Sequence, residues 1–185
     1  LIPGITNRIL NHLVNLVVTS FKDSENIFIK KNTELLGNPV RNEISDLRGV
    51  VKGSSERRTI FVFGGSQGAQ SINLAMVDAL DHLIDLKDKI RIIHQTGVKD
   101  LENIKEGYRG KGFDARIEPY IYDMAEVYQK SDLVISRSGA TSIAEITAIG
   151  KPAILIPYPF ATHQHQKKNA EAIKKAGGAE MILSH

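Results

Sequence analysis

Neither cysteine nor tryptophan occurs among the 185 residues of the sequence. The absence of cysteine excludes disulfide bonds and thiolate chemistry, and it allows a reducing compartment without showing one. No apolar run approaches the roughly 20 residues that a membrane-spanning helix requires. What is present is 42% hydrophobic and 24% charged, which is typical of a globular protein. The length suits one ordinary domain, or one domain and part of a second.

The charge is only mildly unbalanced, with a formal net charge of +3. This suits an anionic ligand or an anionic membrane surface, although ordinary surface lysines explain it more simply. We expect no nucleic-acid partner. The chain begins at Leu1 without a signal-peptide pattern and stops soon after the strand-like "AEMIL". We therefore expect a piece of a longer protein.

Strand-like and helix-like segments alternate from residue 59 onward. The predicted strands are 59–64, 89–97, 114–121, 132–139, 151–159 and 179–183. The predicted helices are 69–86, 99–109, 122–131, 140–150 and 163–178. This alternation indicates βαβ units and a parallel sheet covered by helices on both faces. Right-handed crossovers then predict an α/β fold with a Rossmann-like, doubly wound parallel sheet.

The first 58 residues follow a different pattern. A helix is predicted at 5–15 and short strands at 16–21 and 34–40, followed by a polar, glycine- and serine-containing stretch. The segment 1–41 is too short for a core of its own, so we interpret it as the tail of a preceding domain. Residues 42–58 are predicted to be a linker, and 59–185 a ligand-binding domain.

Four of the predicted strands lead into loops with unusual residues, and ligands of open α/β sheets bind outside the carboxyl ends of strands. One such loop, Tyr120-Ile121-Tyr122, offers a backbone edge and an apolar side chain that could hold a flat base. Core packing explains that loop equally well.

The loop "GGSQG" at 64–68 separates a predicted strand from a predicted helix. Glycines let the backbone approach an anion, and the helix that follows offers unpaired N–H groups. Ser66 breaks the GxGxxG pattern of dinucleotide sites, and no Lys-Ser/Thr pair follows Gly68 as in a Walker A loop. The loop is therefore an anion-binding loop of another kind, or a tight turn without a ligand.

The segment "RSGATSIAE" opens another predicted helix directly after a strand. Ser138, Gly139 and Ala140 form a second potential seat for a diphosphate. The carboxylate of Glu145 could accept two hydrogen bonds from a ribose diol, or it could be a surface charge. Arg137 could pair with an anion or brace a neighbouring loop.

The segment "PYPFATHQHQKKNA" has two prolines and then a polar helix start with His163, Gln164, His165 and Gln166. Histidines two positions apart do not share a helix face, so we expect no metal site. Amides and imidazoles suit a hydroxyl-rich ligand such as a sugar, although an exposed polar helix start has the same composition.

Taken together, these motifs resemble the MurG family of bacterial glycosyltransferases, which belongs to glycosyltransferase family 28. "GGSQGA" at 64–69, "RSGATSIAE" at 137–145 and "HQxxNA" at 165–170 occur in the family's order and rough spacing. "GNPVR" at 37–41 resembles the segment that joins that family's two domains, and "GITNRIL" at 4–10 resembles the end of its N-terminal domain. The resemblance implies a GT-B fold, with this chain supplying mostly the C-terminal domain that binds UDP-GlcNAc.

The resemblance also implies a set of donor-binding residues. They are Arg41, Ser66, Gln67, Gly68, Ile121, Ser138, Gly139, Ala140, Thr141, Glu145, His165 and Gln166. Ser66 and the first N–H groups of the helix after Gly139 would contact the diphosphate. The Ile121 backbone would receive uracil, and Glu145 the ribose hydroxyls.

The remaining two implied contacts concern the sugar and the cleft. Gln166, with His165 beside it, would recognise the hydroxyls of GlcNAc. Arg41 would lie near the donor, at the cleft between the two domains of the GT-B fold. The implied reaction is an inverting transfer, in which the C4 hydroxyl of a lipid-linked muramyl-pentapeptide attacks C1 of GlcNAc and UDP leaves. Helix N-termini would stabilise the leaving charge without a metal or a cofactor, and the sequence has no Asp-x-Asp motif.

The resemblance places the whole enzyme peripherally at the cytoplasmic face of the bacterial membrane. Its acceptor-binding loops would precede Leu1, so we expect no catalytic residue in this chain, and donor binding without transfer. Two alternatives stay open: a UDP-GlcNAc 2-epimerase of the same fold, and a non-catalytic donor-binding subunit of a two-chain transferase. The lysines at 167, 168, 174 and 175 could meet anionic headgroups, although a solvated helix face is the simpler interpretation.

Overall fold

The computed structural model describes residues 5–20, 32–50, 53, 55–161 and 164–184. His163, one of the polar residues predicted at a helix start, lies outside these ranges. The helices are α1 Ile5–Leu10, α2 Asn42–Ser45, α3 Gln70–His82, α4 Leu101–Tyr108, α5 Met124–Lys130, α6 Ala140–Ile149 and α7 His165–Lys175. The strands are β1 Leu16–Thr19, β2 Asn32–Leu35, β3 Arg58–Phe63, β4 Ile90–Gln95, β5 Asp114–Glu118, β6 Leu133–Ser136, β7 Ala153–Leu155 and β8 Ala179–Met181.

Six parallel strands form the main sheet in the order β5-β4-β3-β6-β7-β8. The chain moves outward from β3 to β5, returns to the other side of β3 and moves outward again from β6 to β8. This is the strand order of a doubly wound Rossmann sheet, so the predicted fold class is confirmed. The order reverses between β3 and β6, where ligands bind in such folds.

Helices cover both faces of this sheet. The side chains of β3 therefore enter a core on each face, and the strand is apolar on both sides. Phe61 and Phe63 point into one core with α5 and α6, while Val62 points into a second core with α3 and α4. All three side chains are buried. Each contributes about 2 kcal/mol of burial free energy, which explains why this strand reads as a continuous apolar run.

The first 58 residues include a short helix that the sequence did not predict. Helix α2 begins at Asn42, inside the predicted linker, and Ile44 is fully buried in the core next to α5 and α6. Strands β1 and β2 pair in parallel as a separate two-stranded sheet. Within the described ranges, the longest and most apolar helices still fall short of what crossing a bilayer requires.

Candidate functional site

The loop after β3 reaches the switch point because β3 pairs with β6, so that Phe63 lies opposite Ser136. The side chains of Ser66 and Gln67 are exposed at its tip. Gly68 has φ +76°, and a Cβ placed there would lie 1.9 Å from the carbonyl oxygen of Thr96. Only glycine therefore lets this loop lie against the loop that follows β4.

Gln95, the last residue of β4, connects two of the predicted ligand loops. Its Nε2 donates to the carbonyl oxygen of Gly65 at 2.9 Å, and its Oε1 accepts from the N–H of Ile121 at 2.8 Å. The resemblance assigns the backbone of Ile121 to uracil, and the N–H of that backbone has a partner inside the protein. Sequence reasoning missed Gln95, although an amide at the carboxyl end of a strand was a usable signal.

Helix α6 begins at the same switch point. Its N-cap is Gly139, whose extended φ and ψ of −64° and 153° lead into the helix without a side chain to cap it. The first-turn N–H groups, including those of Ala140 and Thr141, therefore lack an intrahelical acceptor. The positive end of the helix dipole adds to their attraction for an anion.

The Ser138 and Gln166 side chains hold loops together. Ser138 is fully buried, and its Oγ donates to the carbonyl oxygen of Gln166 at 2.8 Å. The amide of Asn169 donates to the carbonyl oxygen of Ser138 at 3.1 Å, and Gln166 Oε1 accepts from the N–H of Tyr158 at 3.0 Å. These contacts fix the start of α7, where His165 lies, beside the start of α6.

Glu145 lies one and a half turns into α6 and is only 6% exposed, so it is not a surface charge. Its Oε2 accepts from the Tyr128 hydroxyl at 3.0 Å, and its Oε1 from Nη2 of Arg41 at 3.3 Å. Burial, together with the neighbouring Glu145 carboxylate, raises the pKa of Tyr128. Arg41, by contrast, is half exposed at the edge of this site.

The guanidinium of Arg137 braces neighbouring loops, which is one of the two roles that the sequence left open. Nη1 donates to the carbonyl oxygens of Ile156 at 3.0 Å and Pro157 at 2.9 Å, and Nη2 donates to Ser71 Oγ at 2.8 Å. The guanidinium also lies 5.5 Å from the centre of the Tyr158 ring. Burial lowers the pKa of Arg137 from its ordinary value.

A buried hydrogen-bond network supports the glycine-rich loop from behind. The Asn73 amide donates to the carbonyl oxygen of Thr96 and to Asp100, each at 2.8 Å, so its Oδ1 must accept from His94 Nε2 at 3.1 Å. His94 Nδ1 then accepts from the Tyr108 hydroxyl at 3.1 Å. Burial lowers the pKa of His94 to about 4, which keeps the imidazole neutral.

A cleft of about 690 Å³ opens beside Arg41, between α2 and the start of α5. This volume lies within the range of small-molecule sites. The lining residues are Arg41, Glu43, Leu47, Tyr122, Asp123, Met124, Ala125, Glu126 and Gln129. The carboxyl edge of the sheet thus combines a glycine-rich loop, a helix N-terminus and a buried carboxylate. The cleft meets this group of residues at Arg41, which lines it and donates to Glu145.

Comparison with known proteins gives consistent matches. Residues 59–185 match the family described as "Glycosyltransferase family 28 C-terminal domain". The chain is 50% identical over 181 residues to the UDP-N-acetylglucosamine--N-acetylmuramyl-(pentapeptide) pyrophosphoryl-undecaprenol N-acetylglucosamine transferase of Syntrophus aciditrophicus. It is 46% identical over 183 residues to the protein of the same name from Myxococcus xanthus.

These matches cover nearly all of this chain but only about half of each relative. Each alignment takes in 98% of this chain, but only 50% of the Syntrophus protein and 47% of the Myxococcus protein. The crystal structure of Acinetobacter baumannii MurG is similar with a TM-score of 0.74 and 26% identity, over 98% of this chain and 50% of that one. The chain thus spans about half the length of the curated relatives that it matches.

Proposed function

The chain belongs to glycosyltransferase family 28 through its C-terminal domain, and from this premise we propose that it binds UDP-GlcNAc as a sugar donor. It serves as the donor-binding half of a transferase that adds GlcNAc to a lipid-linked N-acetylmuramyl-pentapeptide. The 40–50% identical relatives carry the name of this activity. Because they are about twice as long, the acceptor and the reaction belong to the whole protein.

One observation carries this proposal: the buried Glu145 carboxylate lies on the helix whose N-terminus opens at the switch point beside the glycine-rich loop. The loop and the helix N–H groups suit a diphosphate. Glu145, further along α6, suits a diol, because a carboxylate only accepts hydrogen bonds. A nucleoside diphosphate contains both groups, joined in this order.

The same arrangement suits departure of UDP from the anomeric carbon. As the C1–O bond breaks, negative charge grows on the diphosphate, and pre-oriented N–H groups stabilise that charge without reorganising. The start of α7, with His165 and Gln166, then faces the sugar. The attacking C4 hydroxyl comes from the lipid-linked acceptor, so the whole protein works peripherally at the cytoplasmic face of the membrane.

Calorimetric titration tests donor binding directly. The purified chain is titrated with UDP, with UDP-GlcNAc and with ADP, which keeps the ribose diphosphate but changes the base. We expect binding of both uridine nucleotides and at least tenfold weaker binding of ADP. Absence of binding by either uridine nucleotide contradicts the proposal.

Two glutamate variants then test the diol contact. Glu145→Ala removes a buried carboxylate, and we expect it to weaken UDP binding about tenfold or more, since hydrogen bonds to charged groups are worth about 1.5–3 kcal/mol each. Glu171→Ala is the matched control, because Glu171 is an exposed residue of α7. Equal affinities for UDP in the two variants contradict a diol contact by Glu145.

A further inference from the structure

We propose that Tyr128 is a positioning residue, whose hydroxyl holds the Glu145 carboxylate in the one orientation that recognises a ribose diol. This inference rests on the proposed function, because it takes Glu145 as the diol contact. Tyr128 lies on α5, outside every glycine-rich or polar motif of the sequence. Its hydroxyl donates to Glu145 Oε2 at 3.0 Å.

The position of this hydroxyl is fixed by packing. Tyr128 is fully buried, and its ring lies edge to face against the rings of Phe61 and Phe63. The ring centres are 5.6 Å apart for Phe61 and 6.3 Å apart for Phe63. Phe61 and Phe63 themselves stack at 4.7 Å in β3. Strand β3 leads directly into the glycine-rich loop. The same aromatic cluster therefore positions both β3 and Tyr128, the residue that donates to Glu145.

The carboxylate needs such a partner. The terminal torsion of a glutamate is broad, so packing of its methylene groups alone does not fix the carboxylate plane. The Tyr128 hydroxyl occupies Oε2, which leaves Oε1 directed towards the half-exposed Arg41. A diol that enters from the side of Arg41 therefore meets an oxygen in a defined place.

The phenol donates over the whole working range of pH. Burial and the adjacent Glu145 carboxylate raise the pKa of Tyr128, so the hydroxyl stays protonated. Since a carboxylate has no proton to give, the direction of this hydrogen bond is fixed. The remaining lone pairs of Glu145 are then the acceptors that sugar hydroxyls can use.

Tyr128→Phe removes the hydroxyl and keeps the ring, so it separates positioning from packing. The measurement is calorimetric affinity for UDP and for 2′,3′-dideoxy-UDP, which lacks the diol. We expect the wild-type chain to prefer UDP by about 100-fold, and Tyr128→Phe to reduce this preference about tenfold, the value of one hydrogen bond to a charged group. Affinity for dideoxy-UDP should change less than twofold.

Tyr108→Phe is the matched control, because Tyr108 is also buried but donates to His94 instead. The network of Tyr108 supports the glycine-rich loop, which meets the diphosphate that UDP and dideoxy-UDP share, so we expect this variant to keep the wild-type ratio of the two affinities. If Tyr128→Phe weakens both nucleotides equally, its role is structural and the inference is wrong. If the wild-type chain binds neither nucleotide, the proposed function fails, and the inference fails with it.

A second measurement needs no substitution at position 128. The chain has five tyrosines, so 3-fluorotyrosine labelling gives five ¹⁹F resonances. That of Tyr128 is assigned by elimination with variants of the other four. We expect it to shift on addition of UDP and clearly less with dideoxy-UDP, whereas equal shifts would overturn the inference.

Discussion

Arg41 and Glu145 lie 104 residues apart in the chain, yet Nη2 of Arg41 donates to Glu145 Oε1 at 3.3 Å. Arg41 directly precedes α2, and α2 itself packs against α5 and α6. The segment that resembles an interdomain joint therefore contacts the carboxylate proposed to bind ribose. A ribose diol at Glu145 must share this oxygen with Arg41 or displace it.

The first prediction concerns the stability of this pair. Arg41→Ala leaves a buried carboxylate with Tyr128 as its remaining described partner. A fully buried pair would lose several kcal/mol, but Arg41 is half exposed, so we expect a loss of about 1 kcal/mol in the free energy of unfolding. Urea denaturation measures this change.

Arg48→Ala is the control for that experiment. Arg48 is exposed in the same segment and forms no ion pair with the residues that the structure describes. We expect its free energy of unfolding to stay within about 0.5 kcal/mol of the wild type. Equal losses in the two variants would mean that the contact with Glu145 adds nothing to stability.

The sequence predicted the sheet because a parallel sheet buried on both faces leaves a strong local pattern. All six predicted strands from residue 59 onward are present. Their ends were less certain: β6 ends at Ser136, three residues before the predicted boundary, because Arg137 and Ser138 turn towards neighbouring loops. Helix α2 was missed because four residues with one buried side chain, Ile44, carry no periodic signal.

The site was predictable where its chemistry is local. The glycine-rich loop and the start of α6 are read from consecutive residues. Gln95 and Tyr128 were missed because their partners are distant in sequence: Gly65 and Ile121 lie in other loops, and Glu145 lies in α6. The role of Arg137 stayed open for the same reason, since its acceptors lie 19, 20 and 66 residues away.

A second prediction compares two glycines with similar backbone conformations. Gly68 has φ +76° and Gly150 has φ +68°, so alanine is strained at both positions. At Gly150 the added Cβ meets nothing within 4 Å, whereas at Gly68 it would lie 1.9 Å from the carbonyl oxygen of Thr96. We expect Gly150→Ala to lower the free energy of unfolding by about 1–2 kcal/mol, because backbone strain is its only effect.

Gly68→Ala must in addition move the backbone of one of the two loops. We expect at least twice the loss of Gly150→Ala in the free energy of unfolding, together with loss of UDP binding. Gly150→Ala should keep the wild-type affinity for UDP, because Gly150 ends α6 at the opposite end from the site. Similar results for the two variants would contradict the close approach at Thr96.

A third prediction tests the bracing role of Arg137. A lysine keeps the charge but cannot reach Ile156, Pro157 and Ser71 together, because it lacks the planar fork of the guanidinium. Arg137→Lys should lower the free energy of unfolding by about 2 kcal/mol, since buried carbonyl oxygens lose their donor. Hydrogen exchange should rise in the loop after β7.

The competing role for Arg137 predicts a different result. If its charge contacted the diphosphate, lysine would preserve stability and part of the binding, and alanine would abolish UDP binding without changing exchange at Tyr158. Denaturation and exchange of Arg137→Lys and Arg137→Ala, measured beside UDP titrations, distinguish the two roles.

The last prediction concerns acid stability and His94. Burial lowers the pKa of His94 to about 4 from an ordinary value of 6.5, so between these values the unfolded chain binds a proton that the folded chain does not. The contribution of His94 is therefore complete above pH 6.5 and is lost as pH falls to about 4. The shift corresponds to roughly 3 kcal/mol of unfolding free energy.

Urea denaturation at intervals from pH 7 to pH 4 measures this loss. His94→Gln removes the titrating group but keeps one donor and one acceptor for Asn73 and Tyr108. The fall in the free energy of unfolding between pH 7 and pH 4 should therefore be smaller than in the wild type by up to about 3 kcal/mol. His82→Gln is the control, because His82 is exposed at the end of α3 and its replacement should leave the wild-type slope. A wild-type slope in His94→Gln would show that the acid sensitivity comes from other groups and that the buried network tolerates a charged imidazole.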